Sequence, residues 1–571
     1  MNEDRKMTKQ KLLNSTAFGG RATKVKVYKT LAAGVIGGFL ASAPHAAYAL
    51  NLYDGEAVGN NLEINLDTTI SYTGIVRTGR PSYFLTKSPF AANGNDGDNN
   101  FSHGLVSNGF EITPTFDLRD GDFGAHFSAD AYVNTSYLGT NQNHDPYTNN
   151  SFDAGVISRT NDFTSATRNV EGLNAQVLDA FAYKSFHFGA DDAQTVTVKF
   201  GRQTLIWGQS LFLSNNGIAA GMAPFNVITA DNNPNAETQQ IIMPVGQAVL
   251  TYQPNQVLTL QGYYQFEWQP DLIEATGSYF SSADLLGKGG ASFLLGGPPA
   301  LRSKDLSPEH QNGQFGASAQ LTLGNYDVGF YALRFDSKAP SLYVNARTNK
   351  YYAVYPRDIW IEGTSLSTTV GPANVAGEIS FRQHMPLVDS FGSTGFNPTE
   401  NANSNPGYPV GDTWAGQMSA IYVSPGVPLD PGGITMDGEI GFNHLLKVTR
   451  NAGAPFGISA YQGLNSISQG RTSTAVNMEA VVTPNYYDVL PNLSLGFPIG
   501  LSYNIYGRSA VDATENHGTG NLTLGVTTTY KVTWVANVTF NDYIGRANPL
   551  LAGESSIADR NYVLFNLQHS F

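Results

Sequence analysis

Counting back by twos from Phe571 gives His569, Leu567, Phe565 and Val563, and the interleaved positions are Ser570, Gln568, Asn566 and Leu564. One set is mostly apolar and aromatic, the other mostly polar, as in a β-strand whose two faces meet different surroundings. The same period recurs along the chain. Phe110, Ile112, Phe116 and Leu118 alternate with Glu111, Thr113, Asp117 and Arg119. Leu258, Leu260, Tyr264, Phe266 and Trp268 alternate with Thr259, Gln261, Gln265 and Glu267. Ile379 and Phe381 oppose Glu378, Ser380, Arg382 and His384, and Met436, Ile440 and Phe442 oppose Asp437, Glu439 and Asn443. Val532, Trp534, Ala536, Val538 and Phe540 oppose Thr533, Asn537 and Thr539. The first set in each pair suits lipid, where a charge at mid-depth costs roughly 2–4 kcal/mol. The second suits a wet lumen.

The connections between these runs alternate in length. Long ones fall at 77–107 and 139–172, both polar, and at 205–243, 269–312, 337–356, 386–413, 445–473, 507–518 and 543–559. Short turns fall near 120–122, 253–256, 323–326, 371–374 and 530–531, with medium ones at 424–433 and 484–491. The pattern predicts an all-β fold over 50–571, a transmembrane antiparallel β-barrel of about 18 strands with long extracellular loops. A sandwich or propeller has no reason to keep that parity, and no internal repeat supports a propeller or solenoid. A last strand ending on Phe resembles the closing strand that the barrel-assembly machinery recognises in bacterial outer-membrane barrels. On that resemblance Phe565, Leu567 and Phe571 form the assembly signal, and His569 departs from the pattern.

Composition agrees with a wet interior and a greasy exterior. Charged residues are 14%, mean hydropathy is −0.21, and Tyr and Phe number 29 and 32; soluble domains carry roughly 25% charge. With no cysteine, disulfides, thiolate metal sites and cysteine nucleophiles are excluded. Residues 1–49 read as an export signal of the Sec type: Arg21, Lys24, Lys26 and Lys29 precede an apolar run at 31–40, and Ala47-Tyr48-Ala49 fits the small-x-small cleavage rule, with Ala47 and Ala49 as the cleavage residues. The run is too short for a span of ~20 apolar residues. Losing 1–49 removes 8 of 33 basic and 2 of 46 acidic residues, which leaves a body of net charge −19. Such a body argues against nucleic acid as a partner.

The strings GRQTLIWGQS at 201–210, NPNAE at 233–237, QFEWQP at 265–270 and GSYFS at 277–281 with Asp284 together resemble the DUF1302 family of Gram-negative outer-membrane proteins. The resemblance covers most of the body. It implies a porin-like role in transport or export in the outer membrane, without a known substrate, beside outer-membrane lipid and near functions such as a partner DUF1329-type lipoprotein, an RND-type transporter or the catabolism of a hydrophobic compound.

Two long connections are unusually apolar for solvent-bathed loops. Residues 206–228 carry Trp207, Leu211, Phe212, Leu213, Ile218, Met222 and Phe225; residues 277–301 carry Tyr279, Phe280, Leu285, Leu286, Phe293, Leu294 and Leu295. One reading folds them into the lumen as a constriction or greasy binding patch; the other packs them as an external cap or against a partner. Arg202, Trp207, Glu237, Glu267, Tyr279, Phe280, Phe293, Glu378, Arg382 and Arg508 are the constriction candidates, although a lone lumen charge is more often satisfied by a cross-strand neighbour. Asp96, Asp98, Asn99 and Asn100 have oxygens suited to a hard cation, but their spacing fits no EF-hand and the reading preferred is a solvated loop. There is no Gly-x-Ser-x-Gly, no His-Glu-x-x-His and no phosphate loop, and the ten histidines are scattered. The expectation is therefore a channel for small amphipathic or hydrophobic compounds, not an enzyme, with no cofactor and no metal. The alternative is an outer-membrane component of an export or surface-assembly system.

Overall fold

The computed structural model describes residues 50–571 apart from 55–60, 146–148, 295–296, 309, 311, 346–347, 389–392, 396–407, 425–431 and 451–470. The export signal with Ala47 and Ala49, and most of the connection at 424–433, thus lie outside the described residues.

Eighteen antiparallel strands close on themselves: β1 (Leu62–Arg77), β2 (Gly104–Asp120), β3 (Phe123–Asn134), β4 (Leu173–Phe188), β5 (Gln194–Gln203), β6 (Val245–Gln253), β7 (Leu258–Gln265), β8 (Gln314–Leu323), β9 (Tyr326–Phe335), β10 (Ile359–Val370), β11 (Ala373–Pro386), β12 (Val410–Val423), β13 (Ile434–Arg450), β14 (Thr474–Leu490), β15 (Leu493–Gly496 continuing as Ile499–Tyr506), β16 (Gly520–Tyr530), β17 (Trp534–Ile544) and β18 (Tyr562–Ser570). Each strand pairs with the next, and β1 pairs with β18 from Thr69↔Ser570 to Arg77↔Tyr562. Closure leaves no unpaired edge for lipid to meet. A further short strand, Leu50–Asp54, lies beside the lower end of β1.

Strand faces follow the alternation. Phe110, Ile112, Ile379, Met436, Ile440, Val538 and Phe565 are exposed on the outside, whereas Glu378, Arg382, Glu439, Asn443, Asn537 and Asn566 are buried inside. His569 does sit on the outer face, where it stacks on Trp534 with ring centroids 4.2 Å apart and lies 5.5 Å from Phe571. The polar-looking position is thus part of an aromatic belt. Gly121, Gly324 and Gly371 take left-handed φ values of 56°, 65° and 58° in the short turns, which a side chain would strain.

Two boundaries differ from expectation. The connection at 484–491 is strand as far as Leu490, because β14 keeps pairing beyond Pro484 with the first part of β15. Trp268 does not face lipid. The strand ends at Gln265, and Trp268 is buried against Tyr355 (4.9 Å) with Nε1 donating to the Ser337 carbonyl.

The loop end is covered by a packed cap. Ser292–Phe293, Ala300–Arg302, Lys350–Val354, Ser341–Asn345 and Ser393–Gly395 make a five-stranded sheet, whose apolar faces bury Leu285, Phe293, Val344 and Tyr351 on one side and Tyr343, Tyr352, Val354 and Tyr408 on the other. Across the mouth, Tyr279 and Phe280 pack on Ile75, Val106, Tyr543, Tyr562 and Leu564 at the upper ends of β1, β2, β17 and β18. The segment 96–100 is neither a solvated loop nor a cation site. It is a helical turn, Asp96–Asn100, whose Asp98 is fully buried between two guanidiniums, Arg77 at 2.8 Å and Arg560 at 3.1 Å. Arg560 also donates to the carbonyls of Tyr279 and Ser281, at 2.8 and 2.6 Å. These bonds tie together loops that are far apart in sequence. Beside them, burial pushes the Asp559 carboxyl up to about 6, against the pull of both arginines.

Candidate functional site

The connection at 204–244 runs across the lumen. Its outbound leg seals against an inner wall that is apolar on one side: Trp207, Ile218 and Met222 pack with Val249, Tyr263, Tyr331, Leu333, Phe335, Ile359 and Ile361 of β6, β7, β9 and β10. The Trp207 ring lies 5.1 Å from Tyr263 and 5.9 Å from Tyr331, and its Nε1 donates to Gln261 at 2.6 Å. Burying such side chains contributes roughly 1.5–3 kcal/mol each. The inner wall is therefore not uniformly polar: alternation suggested a wet face for the strands where it is clean, and part of the apolar wall comes from 326–336, where it is ambiguous.

At its far end the segment is held through its backbone. Glu378 on β11 accepts the N–H of Gln209 and of Ile218 (2.9 Å), together with the Gln417 amide at 3.0 Å. Glu439 on β13 accepts the N–H groups of Leu211 (2.9 Å), Phe212 and Leu213 (2.6 Å). Arg382 donates to the carbonyls of Asn215 (2.7 Å) and Gly217 (3.0 Å). Five orphan donors thus meet two carboxylates, and charge-assisted bonds of this kind are about twice as strong as neutral ones. Gly208 is required here: its φ is 91°, and a Cβ would sit 2.2 Å from the Glu378 carboxylate.

The return leg begins at Asn226, whose side chain caps the helix Val227–Asn232 by accepting from Thr229 N–H at 3.1 Å. It ends in the helix Thr238–Ile241, where Glu237 and Gln240 form a capping box. Between them, Asn233 and Gln240 donate to Glu111 of β2 at 2.7 and 2.8 Å. The Glu237 carboxyl is pushed up by burial, against the Gln239 hydrogen bond.

Above the far end of the segment lies a cavity of about 390 Å³. Its lining mixes apolar side chains, among them Phe335, Ile359, Met385 and Leu387, with polar ones, among them Asn215, Arg382, Asn443 and Asp512. Lys338 lines it too. Its ammonium donates to the Gly221 carbonyl at 3.0 Å and to Gln314 at 3.1 Å, and burial pulls its pKa down to about 8, against Asp271 and Asp336.

The structure brings together some of the residues singled out from sequence and separates others. Glu378, Arg382 and Trp207 meet on the crossing segment, but as its anchors and not as the wall of an open pore. Arg202 and Glu267 pair with each other at 2.6 Å, and Glu267 also accepts the Gly246 N–H, so this pair clamps β5 and β6 to the end of β7. Glu237 caps a helix. Tyr279 and Phe280 fill the mouth, and Phe293 lies in the cap sheet 6.2 Å from Tyr351. Arg508 sits just past β15, where its backbone exchanges hydrogen bonds with Thr472. Glu439, Glu111 and Asn235 hold the segment and were not singled out. Alternation placed Glu439 and Glu111 in the lumen, but no local pattern shows that a carboxylate will meet backbone groups of a distant loop. Among the described residues, no group of three or more His, Asp or Glu is placed to hold a metal.

A family model described as "Protein of unknown function (DUF1302)" matches residues 29–571. The chain belongs to the DUF1302 family. No curated protein matches this DUF1302 chain. Among solved structures it is similar to Acinetobacter baumannii OccAB1 (10% identity, 89% of this chain and 96% of that one, TM-score 0.41). It is also similar to the outer membrane channel DcaP of A. baumannii (10%, 90% and 98%, 0.36) and to a BenF-like porin from Pseudomonas fluorescens Pf-5 (10%, 90% and 98%, 0.40).

Proposed function

We propose that this DUF1302 protein is an outer-membrane channel for small amphipathic or hydrophobic compounds, with its short turns in the periplasm and its cap outside, and that the segment at 204–244 sets its closed state. The observation that carries the reading is the cavity of about 390 Å³ that rests on the segment and is lined by both apolar and polar side chains. A solute entering there gains about 25 cal/mol per Å² of apolar area it hides, while Arg382, Asn443 and Asp512 receive its polar end. Below the cavity, the way on is blocked by a segment whose far end is held by hydrogen bonds to Glu378, Glu439 and Arg382 and by Leu211, Phe212 and Leu213 packed on Val481 and Ile421; the hydrogen-bonded part of that hold is the part water can replace.

The experiment is conductance in planar bilayers. Deleting 209–217 raises the single-channel conductance of the intact protein well above its starting value. Deleting most of 283–294 instead changes which solutes block the current, because those residues belong to the cap and not to the lumen. Equal conductance in the intact protein and the 209–217 deletion counts against the reading.

A further inference from the structure

The tip of the return leg meets the wall quite differently from the outbound leg. Asn235 Nδ2 donates to Asn566 Oδ1 at 2.6 Å, and Asn537 Nδ2 donates to Asn235 Oδ1 at 2.8 Å. Asn566 Nδ2 donates in turn to Thr73 Oγ1 at 2.8 Å. Asn537, Asn566 and Thr73 are register partners on β17, β18 and β1, so they form one uncharged row around the wall. Two residues on, the same inner face of β17 carries Thr539, and two further Asn541; all three β17 side chains are fully buried. Among the described residues, Asn537 Oδ1, Thr539 Oγ1 and both polar atoms of Asn541 have no hydrogen-bond partner. Buried polar atoms without partners are costly and rare. A strand face that keeps several is suited to groups that arrive and hydrogen-bond, not to a permanent seal.

We propose that solutes pass between this tip and the β17–β18–β1 wall, and that Asn537, Asn566 and Thr73 form a subsite for an uncharged polar group, an amide or a pair of hydroxyls, which Asn235 occupies in the closed state. This rests on the channel reading and names the polar end of its solute. Asn235 both donates and accepts in the row, so its replacement must do both, which an ion of either sign does not. The row has no cation to meet a carboxylate, and the flanking Glu111 is already bonded to Asn233 and Gln240.

The chain has no native cysteine, which allows a clean test. In a protein opened by Glu378→Gln and Glu439→Gln, Asn235→Cys and Asn566→Cys are bridged by a short bis-methanethiosulfonate reagent, with bridging confirmed by mass spectrometry and folding by heat-modifiable mobility. Bridging abolishes the conductance and reduction restores it. Full conductance in the bridged protein overturns the route. In a second arm, current through Asn235→Ala in the same Glu378→Gln, Glu439→Gln background is blocked by cyclohexanecarboxamide, and cyclohexanecarboxylate, with the same apolar body, blocks roughly tenfold less well, as expected when hydrogen bonds of ordinary size are lost. Equal block by the two overturns the subsite while leaving the channel intact. Conductance absent from every variant, including the 209–217 deletion, removes the channel reading and this proposal with it.

Discussion

The crossing segment has two seams with the barrel; both bury apolar side chains, Leu211, Phe212 and Leu213 packing on Val481 and Ile421 on the second, but the second also carries a dense set of hydrogen bonds to wall side chains. Toward β6, β7, β9 and β10 it presents Trp207, Ile218 and Met222 to an apolar wall. Toward β11, β13, β17, β18 and β2 it presents backbone N–H groups and amides to Glu378, Glu439, Asn537, Asn566 and Glu111. Apolar contact is non-directional and loses its free energy when water enters. Hydrogen bonds exchange with water at a net cost of about 0.5–1.5 kcal/mol each between neutral groups and about 1.5–3 kcal/mol to a charged one. On the proposed channel reading, the seam richer in hydrogen bonds is the side that opens and the other is the hinge. A plug held equally on both sides would have no preferred direction of release.

The largest effect should follow from breaking the hinge. Trp207→Ala removes the largest side chain of the apolar seam and should cost about 3–5 kcal/mol, as large aromatic-to-alanine changes in cores do. The check is the temperature at which the heat-modifiable barrel is lost; an unchanged midpoint would mean the apolar seam contributes little.

Next in size comes the cap knot. Arg560→Met leaves Asp98 buried against Arg77 alone and should cost about 3 kcal/mol in cap stability, since removing one partner strands a buried charge. Limited proteolysis of the loops should then be faster while the barrel band persists. Equal digestion of variant and parent would show that the knot is not what holds the loops together.

On the polar seam, Glu439→Gln sets an amide donor against the N–H groups of Leu211, Phe212 and Leu213 and should weaken that end by about 2 kcal/mol, because hydrogen bonds to charged groups are worth about 1.5–3 kcal/mol. The expected readout is more frequent opening in bilayers, with the melting temperature nearly unchanged. A lower melting temperature without more opening would make the polar seam structural.

The smallest effect separates the seams by pH. Burial pushes Glu515 up to about 8, and Glu171 and Glu554 up to about 7, against an ordinary value of 4.5. A carboxyl whose folded pKa is raised favours the folded state fully below its unfolded value and loses that contribution as pH rises through the folded one. Glu515 accepts from Asn443 and Asn477 beside the polar seam, at 2.5 and 2.6 Å. Protease sensitivity of the loops and opening frequency should therefore rise between about pH 5 and 8, with a smaller rise, confined to loop protease sensitivity, in a Glu515→Gln protein that keeps Glu171 and Glu554. An opening frequency whose pH response is unchanged by this substitution would place its source elsewhere.

The barrel was legible in the sequence because lipid on one side and water on the other impose a period of two on every strand, and Phe565, Asn566 and Leu567 show it as clearly as Ile379, Ser380 and Phe381. What lies inside was only half legible. The apolar content of 206–228 and of 277–301 looked alike, yet the first crosses the lumen and the second fills the mouth and builds the cap. Composition shows that a loop must bury itself but not against what. Asp98 looked solvated because its partners, Arg77 and Arg560, are loop-end residues at opposite ends of the chain. Glu439 looked like any lumen charge because its partners are backbone groups, which no side-chain pattern reports. Trp268 kept the alternation of β7 past the point where the strand had ended.

The central claim is that a segment pinned by two wall carboxylates closes the barrel. The most direct measurement is single-channel conductance of the intact protein and of the Glu378→Gln, Glu439→Gln double variant in planar bilayers at the same salt. The structure predicts a small conductance for the intact protein and long, large openings for the variant, with the folded barrel retained in both. A large, steady conductance in the intact protein, unchanged by the two substitutions, would contradict it.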